Sequence, residues 1–107
     1  MLWLVTKALS SPKTPSVRPS PRADSFDPVV AVACGSVLRA WRVERGIAQD
    51  ALALQAGVDR SYYGKLERGE RQPSLSVLLK CASAFGQPAA SLVDAIERAI
   101  GRASNVT

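Results

Sequence analysis

Histidine is absent from this chain of 107 residues, and cysteine occurs only twice, at Cys34 and Cys81, far apart and without a companion cluster of ligands. Structural zinc needs several Cys or His at short spacings, so no metal site is expected. Each cysteine lies among apolar residues and reads as a small buried hydrophobe. Glycine-rich phosphate loops and clustered acids are missing too, which leaves no nucleophile with a base, no metal centre and no cofactor cradle. An enzyme is not expected. Aromatics are few, and Trp41 and Tyr63 sit at inward positions, leaving Trp3 and Tyr62 for the surface. That is too little for a stacking platform on single strands. The apolar opening MLWLVTKALSS is too short to cross a bilayer and has no basic residue ahead of it, so a cytoplasmic protein with no membrane partner is expected. No stretch alternates with a period of two, which excludes a sheet and points to an all-α fold.

Positive charge is in excess, with fourteen Lys and Arg against nine Asp and Glu. That balance favours polyanionic partners. Residues 10–28, SSPKTPSVRPSPRADSFDP, hold five of the seven prolines and five serines but almost no large apolar side chains. Such a segment buries too little surface to offset its ordering entropy. Residues 1–26 are therefore expected to form a disordered basic arm carrying Lys7, Lys13, Arg18 and Arg22, either a contact to DNA or a partner, or an extension without function.

Helical signals begin at Asp27 and Pro28, a good N-cap followed by a residue suited to the first helical position. Val30, Cys34, Val37, Leu38 and Trp41 then recur at helical spacing up to Gly46. Leu52, Ala53 and Ala56 mark a second helix closed by Gly57. Asp59 caps a third over about 60–68, with Tyr63 and Leu66 inward and Gly69 as its stop. Ser74 caps a fourth bearing Leu75, Leu78, Leu79, Ala82 and Phe85, and Gly86 ends it. Pro88 opens a fifth with the stripe Leu92, Val93, Ile96 and Ile100, and the tail GRASNVT is expected to fray. A five-helix domain over 27–103 results.

Two short helices joined by the three residues GVD, with glycine at the corner, have the form of a helix-turn-helix. The longer run LRAWRVERGIAQDALALQAGVDRSYYGKLERGERQPSLSVLLKCASAFG, Leu38 to Gly86, resembles the DNA-binding domain of the phage repressor and Cro family, often called the XRE family. Gln49 stands at the first position of the second helix, Ala53 where the helices cross, and Gly57 at the corner. Val58, Tyr63 and Leu66 fill inward positions, and Glu67, Arg68 and Gly69 form the ERG signature. Ala48 departs from the family pattern, which commonly has Ser or Thr before the glutamine. The second helix thus lacks a side-chain cap, a loss of ~1 kcal/mol.

The resemblance implies that the third helix enters a major groove and meets base edges with its N-terminal part. It carries base-facing roles to Arg60, Ser61, Gly64 and Lys65, with Ser61 and Lys65 also in reach of phosphate. Asp59 reads as a cap rather than a base contact. At Gly64 the missing side chain would let the helix backbone approach the bases. Gln49, Tyr62, Arg68, Arg71 and Gln72 fall where the family grips the DNA backbone. Glu67 is implied to pair with Arg42 as a structural ion pair between the first and third helices.

These readings combine into a regulator of transcription, a repressor or autoregulator that binds double-stranded operator DNA. The expected state is a homodimer on a two-fold symmetric site. The fifth-helix stripe, Leu92, Val93, Ile96 and Ile100, is either its interface or part of the core. The alternative is an antitoxin or protein-interaction module of the same fold, with a cognate protein partner. The run DRSYYGKLERGERQPSL also resembles controller proteins of restriction and modification systems.

Overall fold

A computed structural model describes residues 25–105. Most of the expected arm lies outside these residues. The chain forms five helices: α1 (Pro28–Glu44), α2 (Gln49–Ala56), α3 (Arg60–Glu67), α4 (Leu75–Ala84) and α5 (Ala89–Asn105). Capping explains three of the starts. Asp27, Ser74 and Asp59 each accept a bond from a backbone N–H in the following turn, and Pro28 occupies the first turn of α1. Ala48 leaves the start of α2 without a side-chain cap, as its sequence implied.

At the corner between α2 and α3, Gly57 takes a φ of +73°. This left-handed value lets the Val58 N–H reach back to the Ala53 carbonyl at 2.9 Å, closing α2 in a Schellman-type bond. Three residues then reverse the chain into α3. A side chain on residue 57 would be strained by that φ although the space around it is open.

The core gathers Cys34, Val37, Leu38, Leu52, Ala53, Tyr63, Leu66, Cys81, Phe85, Leu92 and Ile96 from all five helices. Helix α1 is the central support, packing on α3 and α5, while α4 braces α2 and α5. Trp41 meets Phe85 edge to face at 5.4 Å. The Arg45 guanidinium covers both rings and donates to the Trp41 carbonyl. Both cysteines are unpaired and buried; burial pushes both thiols up, that of Cys81 to about 11.

Leu75 and Leu79 are exposed, because Leu78, Cys81, Ala82 and Phe85 define the inward face of α4 and the other two lie on its flank. In α5, Leu92 and Ile96 are buried against the rest of the core, the second of the two readings given for them. Ile100 is half-buried, and Val93 alone of that stripe is exposed. The helix also continues through 101–105, where fraying was expected.

One close approach was not anticipated. Gly35, in the middle of α1, is buried under the end of α3: a Cβ there would lie 2.6 Å from the Glu67 carbonyl oxygen and also against that of Leu66. Backbone cannot yield as a side-chain tip can. Gly35→Ala is expected to destabilise by about 1–3 kcal/mol as an overpacked contact and to lower Tm by at least ~4 °C. A thermal melt matching that of the unsubstituted protein would show that the helices do not cross this closely.

Candidate nucleic-acid interface

The surface in question is built on a buried carboxylate. Glu67, the last residue of α3, accepts at Oε2 from Arg42 Nε (2.7 Å) and at Oε1 from Arg42 Nη2 (3.0 Å) and Gln49 Nε2 (2.9 Å). The remaining arm of the same guanidinium, Nη1, donates to the Ile47 carbonyl at 2.8 Å. One ion pair thus joins α1, the loop after it, the start of α2 and the end of α3. The Arg42 and Glu67 side chains are 12% and 3% exposed, so this is a buried pair. The Tyr63 hydroxyl lies in the same interior without a partner of hydrogen-bond geometry among the described residues. Burial, with the neighbouring carboxylate, keeps it protonated far above the usual phenol range.

Burial pushes the Glu67 carboxyl up, but its donors, Arg42 foremost, outweigh that and hold it below its ordinary value of 4.5. Its stabilising effect is therefore complete above pH 4.5 and is lost as pH falls through the depressed folded value.

With the turn fixed in this way, α3 presents Arg60 and Ser61 exposed at its N-terminal turn, and Lys65 half-exposed one turn later. Neither Arg60 nor Lys65 enters an ion pair among the described residues. The Asp59 carboxylate accepts from the Tyr62 N–H at 3.0 Å, which commits it to capping. Tyr62 is half-buried against the core, more covered than its sequence position suggested.

Gly64 departs from its expected role. It is buried, and a Cβ at that position would be 3.2 Å from Arg68 Nη1 and 3.6 Å from Gln49 Oε1. The helix therefore does not offer bare backbone there: two side chains lie over it. Gln72 departs as well. Its Oε1 accepts from the Asp27 N–H at 2.8 Å and its Nε2 donates to the Ser25 carbonyl at 2.9 Å, so its amide is spent on fastening the start of α1. Ser25, near the end of the expected arm, is thereby tied to the folded body. Gln49 keeps its place at the uncapped start of α2, where the helix dipole favours an anion, but one of its amide hydrogens is engaged with Glu67. Arg68 and Arg71 are exposed, Arg68 paired with Glu70 at 2.8 Å.

Sequence reasoning found the Arg42–Glu67 pair but missed the Gln49 bond to it. No local signal could supply that bond, because the residues are eighteen apart. Gly35 had a signal, a glycine inside a strongly helical segment, which went unread.

Removing one partner of a buried pair strands the other charge, at a cost of about 3–5 kcal/mol. Arg42→Ala is expected to lose that much stability in urea titrations at neutral pH, and less in acid, where Glu67 protonates in both states. Equal losses at both pH values would contradict the pairing.

No helix among the described residues is long and apolar enough to cross a membrane. A helix-turn-helix family model matches residues 38–92, half of the chain. A Neisseria meningitidis protein described as a hypothetical transcription factor is 39% identical over 56 residues, covering 52% of this chain and 53% of its own length. The CTXphi transcriptional repressor RstR of Vibrio cholerae is 38% identical over 58 residues, 54% of this chain and 52% of that protein. The chain thus spans about half the length of these curated relatives. Among solved structures, the restriction-modification controller protein C.AhdI of Aeromonas hydrophila superposes with a TM-score of 0.56 at 42% identity, over 58% of this chain and 94% of that one. With that family model matching half of the chain, the chain belongs to the XRE-type helix-turn-helix family.

Proposed function

We propose that this protein is a sequence-specific double-stranded DNA-binding regulator of transcription, acting in the cytoplasm on operator DNA as a repressor or autoregulator. The observation that carries the reading is the exposed N-terminal turn of α3, Arg60 and Ser61 with Lys65 behind them, held beside the uncapped start of α2. A major groove admits one such helix, and Arg or Lys donating to guanine O6 and N7 is the commonest specific contact. Arg60, Ser61 and Lys65 read base edges. Gln49, Tyr62, Arg68 and Arg71 contact the backbone and set the register. The relatives described as a repressor and as a controller protein support the regulatory role.

The domain over 27–103 works as a homodimer, since one module reads too few base pairs for operator specificity. Its interface excludes Leu92 and Ile96, which the core has taken.

Footprinting upstream of the protein's own gene tests the reading. The unsubstituted protein should protect a two-fold symmetric site. Arg60→Ala with Lys65→Ala should lose that protection, with binding weaker by at least about tenfold on the usual value of a base contact. Equal binding by both, with steep salt dependence and no sequence preference, would mean that α3 does not read sequence.

A further inference from the structure

Arg68, at the C-cap of α3, folds back along its own helix. Its Nη1 lies over Gly64, 3.2 Å from where a Cβ would stand, with the Gln49 Oε1 3.6 Å from the same point. The opposite edge of the guanidinium is occupied by Glu70: Nε donates to Oε2 at 2.8 Å and Nη2 approaches Oε1 at 3.5 Å. Both side chains are about half exposed. Arg68 first, and Lys65 and Arg71 with it, hold the Glu70 carboxyl below the ordinary range. The result is a cation on the DNA-facing side whose bidentate edge already holds an anion supplied from two residues away.

A carboxylate and a phosphate present the same pair of oxygens to a guanidinium edge. Gln49 and the uncapped α2 terminus, beside Nη1, mark where a phosphate would approach. We propose that Glu70 is an internal competitor for DNA phosphate: it occupies the Nε–Nη2 edge of Arg68 in the free protein and must be displaced when the backbone docks. An exposed pair of this kind is weak, so it opens readily. Once displaced, however, Glu70 stands beside a phosphate and repels it. Glu70 therefore lowers affinity for any duplex, independent of sequence.

This inference rests on the DNA-binding reading, and one titration separates the two. Anisotropy of a short labelled mixed-sequence duplex, over a potassium chloride series, is measured with the full chain, Glu70→Gln, Arg68→Ala and the Arg68→Ala/Glu70→Gln double variant. Glu70→Gln should bind about threefold tighter at low salt, with a log–log salt slope steeper by up to ~0.9 as one more phosphate contact is completed without a stranded carboxylate. Both effects should disappear in the Arg68→Ala background. Equal tightening in both backgrounds would overturn the proposal, leaving Glu70 as a distant negative charge. Weaker binding by Glu70→Gln would overturn it as well, making the carboxylate a support for Arg68. If the full chain binds no duplex even at low salt, the DNA-binding reading fails first.

Discussion

The way α3 is presented depends on where one carboxylate is buried. Glu67 ends α3, and its two oxygens are shared between Arg42 of α1 and Gln49 of α2. The pair is nearly dry, and breaking it would strand a charge, so the three elements are fixed in one relative orientation. The glycine corner at Gly57 determines that α2 and α3 turn; the carboxylate determines how that turn sits on the rest of the domain. Gly35 makes this possible from the other side. Without a side chain there, α1 comes close enough to the end of α3 for Arg42 to reach the carboxylate.

The division between inward and outward residues follows from the same anchor. On eight residues of α3, Tyr63 and Leu66 are fully buried, Glu67 turns back toward α1, and Asp59 caps the start. What remains for solvent is Arg60, Ser61 and part of Tyr62 and Lys65. Specific recognition needs few side chains but needs them rigidly presented. A short helix, capped in front and clamped behind, satisfies that requirement.

Much of this was legible in the sequence, because the signals were local. Asp27, Asp59 and Ser74 announced helix starts by capping chemistry, and Gly46, Gly57, Gly69 and Gly86 announced the ends. The ion pair came only through the resemblance, since Arg42 and Glu67 are twenty-five residues apart and share no local pattern. Three-dimensional commitments were harder to see. Gln72 looks like a loop polar residue until its amide is found fastening Ser25 and Asp27. Gly64 looks like an open patch until Gln49 and Arg68 are seen lying over it. In α5 periodicity identified an apolar stripe, but periodicity cannot say which of Leu92, Val93, Ile96 and Ile100 the other helices will cover.

The Gln72 clamp also fixes a starting point. Because its amide holds the Ser25 carbonyl, residue 25 lies beside the loop that follows α3, one residue from Arg71. Whatever displaces Gln72 therefore releases the Ser25 carbonyl and the Asp27 N–H together.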